Sequence, residues 1–186
     1  NKEYLEYRLQ NNIIATIDAS YSGAEGIREA FSKCSDILSN FRMVEEKKII
    51  EKLFQEINAN TGLGSYGLKE VIEMLKNNIA GMIIISDDIN MSRIEKICNR
   101  CSNVEEELIE QGKRILKKTE MKSKPCLECK TMDSEITDQD LIDYIALNAS
   151  KTGTKVEVVS GKTEHGVMLG SLGNIAAILR YNPNRN

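Results

Sequence analysis

Tryptophan is absent from the 186-residue chain, histidine occurs once, proline twice, and aromatic residues make up 5%. With His165 as the only imidazole, Ser-His-Asp and Cys-His catalysis would both have to pass through it, and no nucleophile motif stands beside it in Thr163-Glu164-His165-Gly166. It is expected to be a surface helix residue, with no catalytic set and no small-molecule substrate. The longest apolar run, Ile79 to Ile85, has 7 residues, far below the roughly 20 that a membrane helix requires. No membrane span is expected. Neither sign of charge dominates, since 25 Lys and Arg against 28 Asp and Glu give −3, which argues against a generally basic nucleic-acid binder. The first residues lack a charged segment followed by an apolar one, so the expected location is the cytoplasm.

What is present suffices for a core: 41% of residues are apolar and 28% charged, near the globular average. Asn12 to Asp18 is predicted as a short buried strand ending at the turn-prone Tyr21-Ser22-Gly23. A helix over 25–38 follows, with Ile27, Ala30, Phe31, Cys34 and Leu38 at helical spacing. Ser39-Asn40 breaks that pattern and marks a domain boundary. A stronger amphipathic helix, 44–58, carries Ile50, Leu53, Phe54 and Ile57, with Gly62 as its stop. Beyond it the pattern alternates: helix 67–77, strand 80–86, strand 92–97, helix 138–151 with Thr137 as N-cap and Leu141, Ile142, Ile145 and Ala146 inward, strand 155–160, helix 163–172 and strand 174–181. Such alternation predicts an α/β sheet covered by helices on both faces.

Four of the five cysteines form two pairs, Cys98-Asn99-Arg100-Cys101 and Cys126-Leu127-Glu128-Cys129. In a reducing cytosol two CxxC knuckles point to a metal rather than to disulfides, and four thiolates close a tetrahedral shell around zinc without leaving a position for water. A structural zinc is therefore expected; free thiols and a redox dithiol are the alternatives. The 24 residues between the pairs hold 11 charges, acidic first (Glu105, Glu106, Glu107, Glu110) and basic later, from Lys113 to Lys124. This segment reads as a solvated excursion from the core. Cys34 reads as a small buried hydrophobe. Asp87 and Asp88, after a strand, read as turn and N-cap residues. Gly62-Leu63-Gly64-Ser65-Tyr66-Gly67 follows a helix rather than a strand and reads as a connector, not a phosphate loop.

Several segments together resemble the archaeal and eukaryotic class I peptide-chain release factor, subunit 1, most closely its archaeal form. Tyr4-Leu5, Ile13 to Gly23 and Gly26 to Glu29 resemble the end of that family's middle domain. Glu46-Lys47-Lys48, Phe54 to Ile57, Thr61-Gly62, Tyr66-Gly67 and Glu70-Val71 resemble the start of its third domain, and Ile178-Leu179-Arg180-Tyr181 its closing strand. The resemblance implies residues 1–40 as the end of the peptidyl-tRNA hydrolysis-triggering domain. Residues 41–186 would form a C-terminal partner-binding domain, an α/β/α sandwich with a mixed sheet and a zinc mini-domain inserted at 98–130. It implies zinc on Cys98, Cys101, Cys126 and Cys129. It implies docking of a translational GTPase of the elongation-factor-1-alpha type through Ile178, Leu179, Arg180 and Tyr181, and contact with the ribosome and the ribosome-recycling ATPase. Ile178 and Leu179 also read as core strand residues, with only Arg180 and Tyr181 reaching a partner. The family's motif has Gly where Ala177 stands, and a Gly-Gly pair is usual at Asn174. The family's Gly-Gly-Gln loop, codon-reading domain and acidic tail are not in this sequence, so release activity by the chain alone is not expected. A Pelota-like ribosome-rescue domain and a zinc-bearing RNA-binding module are the rival readings.

Overall fold

The computed structural model of the chain describes residues 13–183. They fall into two compact units that divide between Ile49 and Ile50. In the first, residues 13–19 have no regular secondary structure, and Ile14 is exposed. The expected strand at 12–18 is thus not formed over 13–18; Asn12, like Tyr4-Leu5, lies outside the described residues. A strand is stable only when its backbone groups pair with a neighbour, and this segment has no ladder partner among the described residues. Side chains of α1 hold it instead: Glu29 Oε2 accepts from the Ser20 N–H at 2.8 Å, and Lys33 Nζ donates to the Asp18 carbonyl at 3.0 Å.

Helix α1 (Ala24–Asn58) is continuous, so the expected break at Ser39-Asn40 is absent. Neither residue is Gly or Pro, and the weak propensity of Ser and Asn costs a fraction of a kcal/mol, about 0.5 each, too little to stop a helix. The chain reverses after α1 through Asn60 and Gly62, both at positive φ (50° and 75°), a region that Gly enters freely and Asn more readily than most residues.

The second unit is built on a four-stranded mixed sheet of β1 (Gly64–Tyr66), β2 (Ala80–Ser86), β6 (Lys155–Val159) and β7 (Ile175–Leu179), in the order β1-β7-β2-β6. Only β2 and β6 run parallel. The expected connector at 62–67 contains β1, a strand too short to show a period. Ile83 and Ile85 turn one face of β2 toward α2 (Leu68–Lys76) and α4 (Leu141–Thr152), where Val71, Leu75, Leu141 and Ile145 complete a fully buried cluster. Ile84 points to the opposite face, on which α5 (Glu164–Gly170) packs with Leu169 buried. Helices on both faces give the expected α/β class.

Between β2 and α4, inside the crossover that joins the two parallel strands, the chain builds a second sheet. It consists of β3 (Met91–Cys98), β4 (Val104–Glu110) and β5 (Ser134–Asp140), ordered β4-β3-β5 and antiparallel throughout. A 3₁₀ turn, Gln111–Lys113, leads into α3 (Arg114–Ser123), whose Met121 is buried against this sheet. The charged segment 102–125 is therefore structured, and the second sheet with its helix runs from 91 to 140. Thr137 lies in β5, and the N-cap of α4 is Asp140, whose Oδ1 accepts from the Ile142 N–H at 2.8 Å. Ala146, expected to face inward, is exposed, while Tyr144 and Ala149 are buried, on the face that Leu141 and Ile145 share. Arg93 ties the second sheet to α4, with its guanidinium 4.7 Å from the centre of the Tyr144 ring and hydrogen-bonded to Glu106 on β4 at 2.8 Å.

Candidate metal centre

Register carries both cysteine pairs to one end of the second sheet. Ile97 pairs with Val104, so the turn of the β3-β4 hairpin is the first CxxC, and Cys98 faces Ser134 at the start of β5, just after the second. The two knuckles repeat one construction 28 residues apart. Cys98 N–H donates to the Asn103 carbonyl at 2.9 Å and Ser102 N–H to the Cys98 carbonyl at 2.9 Å; Cys126 N–H and Lys130 N–H make the same bonds to Thr131 (2.8 Å) and Cys126 (3.1 Å). Each knuckle closes on a left-handed residue, Ser102 at φ 57° and Lys130 at φ 60°. Asn99 pins the first knuckle to β5, its backbone N–H donating to the Asp133 carbonyl at 3.1 Å and its Nδ2 to the Asp133 carboxylate at 2.7 Å.

The four Sγ atoms lie within 4.8 Å of one another. Cys98 to Cys129 is 3.5 Å and Cys101 to Cys126 is 3.6 Å, against about 3.8 Å between sulfurs of a tetrahedral shell with zinc bonds of about 2.3 Å. The donor set therefore fits a soft divalent cation. No disulfide links them. Backbone amides prepare two of the sulfurs for the thiolate form: the Cys129 N–H holds the Cys126 thiol down at about 6, and the Cys101 N–H lowers that of Cys98. At Cys101 the Asn103 N–H works in the same direction, but burial and the sulfurs of Cys129, Cys126 and Cys98 outweigh it and push the thiol up to about 12. Four negative sulfurs cannot share this space without a cation. Metal uptake at pH 7 is accordingly expected to release at least one proton, from Cys101, and affinity should rise with pH across the neutral range. Calorimetric titration in buffers of different ionisation enthalpy counts the protons; a buffer-independent heat would contradict this.

The remaining candidates are dispersed. Ile178 and Leu179 are buried in β7, paired with β1 and β2. Arg180 folds back on its own unit: its guanidinium donates to the Thr152 carbonyl at 2.8 Å, the Asn78 carbonyl at 3.1 Å and the Asn78 side chain. Tyr181 is exposed at 54%. Arg180→Ala should therefore lower stability by about 1–2 kcal/mol, read as a melting temperature several degrees lower. An unchanged melting temperature would show that these bonds contribute nothing. Asn174 adopts φ 64°, the left-handed conformation for which glycine is the usual residue. Asp87 accepts from the Gly161 N–H at 2.7 Å, joining the C-terminal ends of β2 and β6, and Asp88 N–H donates to Ser86 Oγ, so neither caps a helix. His165 is half-buried on α5, apart from the thiols. Cys34 is half-buried rather than buried, and Ile27 and Phe31 of the same stripe are exposed.

The eRF1 domain 3 family profile matches residues 43–183. The chain belongs to the eRF1 domain 3 family. It is 37% identical over 180 residues to peptide chain release factor subunit 1 of Methanobrevibacter smithii and 31% identical over 181 residues to that of Methanocaldococcus jannaschii. Each alignment covers 96% of this chain, which spans 43% of the length of these relatives. The C-terminal domain of a peptide chain release factor from Methanosarcina mazei superposes with a TM-score of 0.73 at 25% identity, over 89% of this chain and all of that one. Archaeoglobus fulgidus Pelota shares the fold, with a TM-score of 0.52 at 22% identity over 91% of this chain and 40% of its own. Membership of the eRF1 domain 3 family agrees with the resemblance read from Thr61-Gly62, Tyr66-Gly67 and the closing Ile178-Leu179-Arg180-Tyr181.

Proposed function

We propose that this chain is the C-terminal part of a translation termination factor. Its residues 1–40 would complete the domain that triggers peptidyl-tRNA hydrolysis, and residues 41–186 form a docking module without catalysis. The observation that carries the reading is the family match over 43–183 together with 37% identity to a release factor subunit across 96% of the chain. The partner is a translational GTPase of the elongation-factor-1-alpha type, met at the β7 end of the main sheet, where Tyr181 stands out. Ile178 and Leu179 act from within the core, and Arg180 shapes the surface by bracing the Asn78 and Thr152 turns. The ribosome and the recycling ATPase are the further partners, and zinc on Cys98, Cys101, Cys126 and Cys129 holds the inserted sheet in shape for them. The module works in the cytoplasm.

A ribosome-rescue role of the Pelota kind shares the fold but superposes less closely, with a TM-score of 0.52 against 0.73 for the release factor C-terminal domain. Mass spectrometry of the native protein, captured from its host with an antibody against this chain, separates the readings. A species well beyond 186 residues that yields Gly-Gly-Gln peptides is the expected result. A native species without that tripeptide would sink the termination reading.

A further inference from the structure

Lys96 is the one charged residue among the described residues that is buried, with 2% of its surface exposed. The inward face of β3 carries Ser92, Ile94, Lys96 and Cys98 in alternation, so the lysine stands directly beside the first metal-site cysteine. Burying an ammonium costs several kcal/mol unless its charge and its donors are met. Here they are met by the second knuckle. Nζ donates to the Lys124 carbonyl at 2.7 Å and lies 3.9 Å from Glu105 Oε1, which itself accepts from the Leu127 N–H at 3.4 Å. Lys124 and Leu127 bracket Cys126. The two attachments therefore fix the backbone on either side of a sulfur that must face Cys101 at 3.6 Å.

We propose that Lys96 is a positioning residue for the metal centre, holding the second knuckle against the first and placing a fixed positive charge beside the thiolate shell. The proposal rests on the metal reading above. Four thiolates around a divalent cation leave two uncompensated negative charges, and a buried ammonium on the same strand face offsets part of that excess. Groups that orient metal ligands without touching the metal commonly set affinity by about 10–100-fold. Nothing in the CxxC spacing reveals this role, because a lysine two residues before a cysteine reads as a solvent-facing residue of a charged strand.

The test uses the full chain with zinc(II) and cobalt(II) as probes. Lys96→Met keeps the length and volume of the side chain and removes the charge and the donor. Zinc affinity, measured by competition with a chromophoric chelator, is expected to fall about 10–100-fold. The melting temperature of the metal-free variant should change little, since Glu105, left without its partner, still reaches solvent with 23% of its side chain exposed. A residue that only supported the fold would lower both together. The thiolate-to-cobalt charge-transfer bands should also move to longer wavelength, because a removed cation leaves the sulfur electrons less tightly held. Unchanged affinity in a folded Lys96→Met overturns the proposal. If that variant does not fold, Glu105→Ala removes the acceptor for the Leu127 N–H and the partner of Lys96, with a severalfold loss of affinity expected and wild-type affinity overturning the role. A wild-type chain that takes up neither metal overturns the metal reading as well, whereas wild-type binding with an indifferent variant overturns the role of Lys96 alone.

Discussion

Cys126→Ser is expected to abolish metal binding and to release both knuckles while the main sheet stays folded. A four-thiolate zinc site contributes on the order of 10 kcal/mol to a small unit, and the inserted sheet has little else to replace it, because of its three strands only β3 has a continuous buried face. Hydrogen exchange resolves the outcome by residue. The amides of Cys98, Ser102, Cys126 and Lys130, all hydrogen-bonded within the knuckles, should lose protection by at least about 100-fold. Those of Ile83, Ile84 and Ile85 in β2 should keep theirs, since β2 is paired on both sides, with β6 and β7. Loss of protection in β2 as well would show the two sheets to be one cooperative unit.

Ile85→Ala should have the converse effect. Ile85 is fully buried on the central strand, facing the cluster formed with α2 and α4, and truncating such a side chain costs about 3 kcal/mol through lost burial and the cavity left behind. For a unit of this size that is a melting temperature lower by roughly 6–12 °C. The four thiols are held by backbone turns at the far end of β3 and by contacts to Asp133, Lys124 and Glu105, so the folded variant should bind metal with wild-type affinity. Calorimetry and the chelator competition together check this. A fall below about 1 kcal/mol would show that the helices on this face are not the main support of the sheet.

The main sheet was legible in the sequence because burial wrote a pattern into it. Ala80 to Ile85 is apolar throughout, as a central strand covered on both faces must be, and the helix with Val71 and Leu75 keeps its spacing. The cysteine knuckles were legible for a chemical reason: thiolates at CxxC spacing have few other uses in pairs. Of the second sheet only β3 was, as the strand expected over 92–97. Val104-Glu105-Glu106-Glu107-Leu108-Ile109-Glu110 and Ser134-Glu135-Ile136-Thr137-Asp138-Gln139-Asp140 lack the alternation of half-buried strands. Ion pairs to neighbouring elements support them instead, Arg93 of β3 with Glu106 at 2.8 Å and Lys118 of α3 with Asp138 at 2.5 Å. Charges that meet only after pairing leave no period in the sequence. The same holds for Lys96, whose burial depends on α3 and the second knuckle. Arg180 is exposed, as its place after the closing strand suggests, but its bonds to Asn78 and Thr152 leave no trace in the sequence, because those acceptors are 102 and 28 residues away along the chain.

The docking role is tested most directly by titrating the metal-loaded chain against an elongation-factor-1-alpha-type GTPase carrying a non-hydrolysable GTP analogue, with heat of binding as the readout. Saturable one-to-one binding at micromolar or tighter affinity is expected, weakened at least about fivefold by Tyr181→Ala, whose exposed ring leaves the melting temperature unchanged when removed. Absence of binding by a chain that is folded and metal-loaded would contradict the account.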